Sequence, residues 1–231
     1  MRFVIALLTL WLTVLPAALR ADDAPVVIEL FTSQGCSSCP PADRLLQDIG
    51  SREDVIALAL HVDYWDYLGW KDSFAQSAFS KRQKAYAHTG RRRTVFTPEL
   101  VVQGQDSFVG HKGDRIQASI AAHRTQPRLA TITVERSAEG FALKISPVGT
   151  SAPAADLLLV RFLPNDKVMI ERGENAGKTV LYTNIVGKIT QIGSWNGASD
   201  ATIVIEKIDG PHAVIVQQTN HGPILTAARL N

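Results

Sequence analysis

Apolar residues recur along this chain in two rhythms, and the change between them falls near residue 125. Before that point, short apolar runs alternate with helical segments. Residues 25–31 (PVVIELF) are apolar apart from Glu29 and predict a buried strand. Residues 32–35 form a turn, and residues 39–49 (CPPADRLLQDI) predict a helix ended by Gly50. Its prolines fall in the first turn, where backbone amides lack helical partners. Residues 55–62 are interrupted only by His61 and predict a second, parallel-type strand. Residues 72–88 have helical composition, with Phe74, Ala78, Phe79, Ala85 and Tyr86 on one face. Thr97-Pro98, a short strand at 100–102, a turn at Gly104 and a helix from about Gly113 to His123 complete an α/β pattern.

Beyond Thr125-Gln126-Pro127 the helical rhythm stops. Residues 129–135 and 141–145 flank Ala138-Glu139-Gly140 as a hairpin, and 157–163, 179–182, 201–208 and 213–218 predict four further strands. Asp209-Gly210 predicts a tight turn between the last two, with Pro211 just outside the returning strand. The expectation is a mostly antiparallel β domain, a small sandwich.

The amino-terminal pattern is of another kind. Arg2, an apolar run over residues 3–15 and Leu19-Arg20-Ala21 predict a signal peptide cut after Ala21. The run is shorter than the roughly 20 residues that span a bilayer, so no stable membrane insertion is expected after cleavage. Of 24 basic residues, cleavage removes Arg2 and Arg20, which brings the count level with the 22 acidic ones. The basic cluster Arg91-Arg92-Arg93, with Lys81, Arg82 and Lys84 before it, lacks interleaved aromatics; no nucleic-acid partner is expected. With 45% hydrophobic residues, the chain is apolar enough to fold.

Both cysteines lie in Cys36-Ser37-Ser38-Cys39. Export places them in an oxidising compartment, yet a two-residue spacing closes almost no loop and makes a poor staple. Chemistry is the better use. A cysteine at a helix start meets unpaired amides and the positive end of the dipole, which favour its thiolate. Cys36 is therefore expected to attack and Cys39 to resolve the mixed disulfide. Two alternatives stay open. One is a protein that carries copper or zinc on the two thiolates, with His61, His88 or His111 as third ligand; spacing alone assigns no metal set and no cofactor. The other is a non-catalytic interaction module. The aromatic loop at residues 63–70 offers Tyr64, Trp65 and Trp70 as a peptide-binding surface, or as a cap on the sheet. His61 and Asp63 are expected to pair.

The segments VIELFTSQGCSSCPPAD (27–43) and HVDYWDYLGW (61–70) resemble the DUF1223 family of secreted bacterial proteins, within the thioredoxin-like superfamily. The resemblance implies a thioredoxin-like fold, placed by the change of pattern over residues 22–125 ahead of a β-rich domain over 126–231, and a Gram-negative periplasmic or secreted setting. It implies no established substrate. The wider thioredoxin pattern implies that Cys36 and Cys39 are the nucleophilic and resolving cysteines, and that Pro98 is a cis-proline facing the disulfide. Thr97 before it resembles periplasmic disulfide isomerases. Glu29 resembles the buried strand acid that relays a proton to the resolving cysteine, although it lies seven residues before Cys36, one more than usual. Gly35 stands where thioredoxins have tryptophan. The expected activity is thiol-disulfide exchange on exported thiol- or disulfide-containing proteins, with a separate partner to recycle the cysteines.

Overall fold

The computed structural model describes residues 24–230, so the segment read as a signal peptide lies outside the described residues. Element order is β1 (Val26–Thr32), α1 (Pro40–Gly50), β2 (Val55–His61), a 3-10 turn (Asp66–Leu68), α2 (Ser77–Thr89), β3 (Glu99–Val102), β4 (Asp106–Val109) and α3 (Gly113–Thr125). There follow β5 (Ala130–Arg136), β6 (Gly140–Pro147), β7 (Ala155–Met169), β8 (Thr179–Trp195), β9 (Ala201–Glu206), β10 (His212–Gln218) and β11 (Ile224–Leu230). The fold is α/β with a thioredoxin-like first half and a mostly antiparallel second half.

One eight-stranded sheet runs in the order β11-β10-β7-β8-β2-β1-β3-β4. Strands β1 and β2 are parallel, and every residue of both is buried, as their near-continuous apolar sequences require. Strand β8 runs parallel to β2, paired at Ala59 and Ile185, so the sheet passes from one half of the chain into the other. It then curls back on itself. Gln103, just after β3, exchanges hydrogen bonds with Ile224 at the far edge, Nε2 donating to its carbonyl at 2.8 Å and the Ile224 N–H returning at 2.9 Å. Inside the curl, Val27, Phe31, Leu58, Phe79 and Tyr86 pack with Val160, Ile215 and Ala227. A second sheet, β5-β6-β9, covers the outer face of β7 and β10, where Leu143 and Ile145 meet Leu157, Val214 and Val216 as half of a sandwich.

The side-chain period of β1 separates two layers. Val26, Ile28 and Leu30 face α1 and α3, against Ala42, Leu46, Ile116 and Ile120, whereas Val27 and Phe31 face α2. Glu29 shares the second parity. Its carboxylate, only 1% exposed, is gripped by Arg82 of α2, with Nε at 2.6 Å and Nη2 at 3.0 Å, and accepts the Tyr86 hydroxyl. Arg82 also donates to Gln217 Oε1 of β10 at 2.9 Å.

Several sequence expectations are corrected here. Helix α2 begins at Ser77 rather than Asp72, because residues 66–68 form a 3-10 turn and Asp72 is held by side-chain bonds before the helix starts. Strands β4 and β11 were not foreseen, and β7 and β8 extend to 15 and 17 residues. The Asp209-Gly210 turn does not close a hairpin: β9 pairs with β6, and β10 with β7 and β11, so the turn carries the chain from one sheet to the other.

Removing Arg82 leaves a buried carboxylate without its cation. Arg82→Met is expected to lower unfolding free energy by about 3–5 kcal/mol in urea titrations, and Glu29→Gln combined with it to recover part of that loss.

Candidate active site

From Thr32 at the end of β1 the chain turns through Ser33-Gln34-Gly35 into Cys36, which is bonded to Cys39 with 5.4 Å between Cα atoms. Cys36 is 3% exposed and Cys39 fully buried, while Ser37 and Ser38 between them face solvent. Cys39 caps α1, and Pro40 and Pro41 occupy its first helical positions. Prolines carry no N–H, so two of the amide donors that a helix start normally leaves unpaired are missing. The next two amides, of Ala42 and Asp43, bond the Cys39 carbonyl at 2.8 and 3.1 Å. The helix-start contribution anticipated for the Cys36 thiolate is therefore reduced. A hydroxyl stands nearby instead: Ser38 Oγ lies 3.4 Å from Cys36 Sγ and 3.4 Å from the Thr97 carbonyl.

The Thr97-Pro98 peptide bond is cis. Pro98 packs beside α1, since a Cβ placed on Gly110 would meet Pro98 Cβ, Ala42 Cβ and Leu30 Cδ1, each at 3.0 Å. Trp65 Nε1 donates to Thr97 Oγ1 at 2.8 Å, and a Cβ at Gly35 would come within 3.3 Å of Trp65 Cβ. The glycine before Cys36 thus admits Trp65 from the aromatic loop. Trp70 Nε1 donates to Gln34 Oε1 at 2.8 Å. Thr97, Trp65 and Trp70 are brought together at the CxxC turn. Tyr64 is not; its hydroxyl donates to Gln83 of α2 at 3.1 Å, and burial pushes its phenol up to about 12.

One turn beyond Cys39 begins a buried polar cluster of which the sequence reading named only His61. Asp43, one turn beyond Cys39, is 4% exposed and accepts the Thr32 hydroxyl at 2.8 Å through Oδ1, leaving Oδ2 without a hydrogen-bond partner. His61 at the end of β2 is fully buried, its Nδ1 2.7 Å from Asp72 Oδ2, and its Nε2 is also without a partner. The expected His61–Asp63 pair does not form, because Asp63 bonds Ser80 Oγ at 2.5 Å. Phe74 and Tyr182 enclose the imidazole, ring centroids at 5.2 and 4.8 Å. Burial alone would raise the Asp72 carboxyl, but His61 and the N–H groups of Gln34 and Phe74 hold it below the ordinary value. For Asp43, burial dominates and pushes the carboxyl up to about 7, against the pull of His61 and the Thr32 hydroxyl.

Glu29 takes no place in this cluster. Its odd spacing from Cys36 puts it on the α2 face, and Leu30, one residue later, occupies the α1 face. A second missed residue is Asn175, between β7 and β8, whose Nδ2 donates to the carbonyls of Gln34 at 2.9 Å and Cys36 at 2.8 Å. Asp43 had a local signal, its place on the buried face of α1 with Ala42, Leu46 and Ile49. Asn175 had none. Among the described residues no group of three His, Cys, Asp or Glu side chains is placed to hold a metal ion, and His88 and His111 are exposed. No described helix is long and apolar enough to cross a membrane. An apolar cavity of about 490 Å³ behind Phe74 shares no residue with the CxxC turn.

A family model described as a protein of unknown function, DUF1223, matches residues 27–217. The chain belongs to the DUF1223 family. Among solved structures, protein AGR_C_4864 from Agrobacterium tumefaciens is similar at 30% identity, with a TM-score of 0.76, over 92% of this chain and 96% of that one. HBP35 of Porphyromonas gingivalis shares the fold at 15% identity, with a TM-score of 0.60, over 90% of this chain and 75% of that one. No curated protein matches.

In this DUF1223 protein the buried acid one helical turn beyond Cys39 belongs to α1, while the strand acid Glu29 faces α2. A carboxyl raised from 3.8 to about 7 holds a proton in the folded state that the unfolded chain releases, so stability falls as pH rises between those values. The slope is expected to reach about 1.4 kcal/mol per pH unit and to flatten in Asp43→Asn, as read from urea unfolding across that range. An unchanged slope in the variant assigns the linkage to another group.

Proposed function

We propose that this DUF1223 protein is an exported thiol-disulfide oxidoreductase acting on exported proteins or peptides through Cys36 and Cys39. The observation that carries the reading is a disulfide closed across the exposed Ser37-Ser38 turn, with the buried Asp43 carboxyl one helical turn beyond Cys39, in a thioredoxin-like fold. A substrate thiolate attacks Cys36 Sγ, the Cys36–Cys39 bond breaks, and Cys39 departs with the electron pair. Asp43, protonated below about pH 7, gives its proton to the Cys39 thiolate. A second substrate thiolate then attacks the substrate sulfur of the mixed disulfide and expels Cys36. The substrate dithiol has become a disulfide and the protein's disulfide a dithiol; the reverse sequence reduces a substrate.

Trp65, Trp70 and Thr97 form the wall along which a peptide is presented to Cys36, with the Ser38 hydroxyl directed toward the Cys36 sulfur or the Thr97 carbonyl. Export is supported by the amino-terminal pattern of Arg2, the apolar run and Leu19-Arg20-Ala21. The test is covalent trapping. Reduced Cys39→Ser protein mixed with a disulfide-bearing peptide is expected to give a mixed disulfide on Cys36, detected by mass spectrometry, and Cys36→Ser to give none. Absence of an adduct on Cys36 overturns the reading.

A further inference from the structure

The connection between β7 and β8, residues 170–178, belongs to the second half of the chain yet lies across the CxxC turn. A Cβ on Gly173 would sit 3.4 Å from Trp70 Cβ and 3.6 Å from the Leu68 carbonyl, so the connection rests on the aromatic loop. Two residues on, Asn175 is 1% exposed and spends both N–H bonds of its carboxamide on the Gln34 and Cys36 carbonyls. The orientation is enforced from the other end. Lys178 Nζ, which can only donate, bonds Asn175 Oδ1 at 2.9 Å and leaves the NH2 group for the CxxC turn. The connection is itself braced, the Gly177 N–H meeting the Ile170 carbonyl at 2.8 Å and the Ile170 N–H the Lys178 carbonyl at 2.9 Å.

Few local bonds hold the turn otherwise. The Cys36 N–H bonds the Ser33 carbonyl at 3.1 Å and the Cys39 N–H bonds the Cys36 carbonyl at 3.2 Å, but Pro40 and Pro41 contribute no donors. The backbone carbonyl of Cys36 is thus fixed from a site 139 residues away. Ring closure of a dithiol depends on how often the two sulfurs meet, and a clamp on the backbone of one of them raises that frequency.

We propose that Asn175 is a positioning residue of the redox site: by tying the Gln34 and Cys36 carbonyls to the β7–β8 connection, it holds the two sulfurs near the closing geometry and sets the balance between disulfide and dithiol. The inference rests on the oxidoreductase reading for its purpose, but its test needs only the disulfide. In glutathione buffers, two glutathione thiols reduce the Cys36–Cys39 disulfide to two thiols and leave as glutathione disulfide, which reports the equilibrium without any protein substrate.

Asn175→Ala is expected to shift this equilibrium about tenfold toward the dithiol, a potential about 30 mV less negative. Asn175→Leu, with a similar shape and no donors, is expected to do the same, and native circular dichroism identifies variants that keep the fold. Lys178→Met keeps both donors but frees the carboxamide oxygen, and is expected to shift the equilibrium in the same direction by less than Asn175→Ala. A wild-type potential in a folded Asn175 variant overturns the proposal, as does a shift in Lys178→Met larger than that in Asn175→Ala. Failure of peptide trapping with the Asn175 shift intact would instead count against the oxidoreductase reading alone.

Discussion

A carboxylate on an inner strand of a sheet cannot stand alone, and Glu29 is on such a strand, between β2 and β3. Its cation comes from Arg82, 53 residues later, and the same guanidinium reaches Gln217 in β10 while Gln217 Nε2 donates to the Tyr86 hydroxyl at 2.9 Å. Burial weakens the guanidinium's charge, but Glu29 and the Tyr86 oxygen outweigh it and hold Arg82 above its ordinary pKa. Such a pair adds little net stability over an apolar replacement of equal volume, since both charges leave water. Its larger effect is selective. Only an arrangement that brings α2 against β1 and curls β10 back toward it satisfies all four side chains together. The apolar residues on the same face, Val27 and Phe31 with Phe79 and Ile215, then close around them.

With α2 committed to that face, α1 takes the other, and the chemistry collects where the parallel strands end. Thr32 and His61 are the last residues of β1 and β2, the end of an α/β sheet at which ligands are usually met. Thr32 turns toward Asp43 and His61 toward Asp72, and the Asp72 carboxylate also takes the Gln34 amide at 2.8 Å. A continuous set of bonds, His61 to Asp72 to Gln34, therefore links the end of β2 to the residue two before Cys36. The ion pair on one face and the redox site on the other are two consequences of one alternation along seven residues.

Much of this was legible in sequence because it is local. The strand, the CxxC turn and the proline-led helix follow each other within residues 26–50, and Thr97-Pro98 stands before a strand whose apolar run is plain. Glu29 was legible too, in the parity that its seven-residue spacing implies: Leu30 holds the position facing α1. What escaped depends on distance along the chain. Asn175 reaches Gln34 across 141 residues, and neither residue type nor neighbours announce it. Strand β11 escaped because its Thr226, Ala227, Ala228 and Arg229 dilute the apolar signal, although Thr226 and Ala227 become buried once β10 lies beside them. At Asp209-Gly210 the chain bends without closing a hairpin, since a turn sequence does not fix the strand met afterwards.

The second half of the chain also helps to enclose the buried polar cluster. Strand β8 pairs beside β2 and lays Tyr182 against His61, 4.8 Å between ring centroids, with the tyrosine only 2% exposed. Gln47 of α1 ties the same strand down by donating to the Leu181 carbonyl at 2.6 Å. The largest cause of the raised Asp43 carboxyl is its removal from water, ahead of any neighbouring charge. A thioredoxin-like unit ending before β8 would leave that flank of the cluster open, and solvent reaching it would return Asp43 toward the ordinary carboxylate range. The acid is encoded four residues after Cys39, but Tyr182, which shares its buried cluster, comes from a strand that joins the sheet more than a hundred residues later.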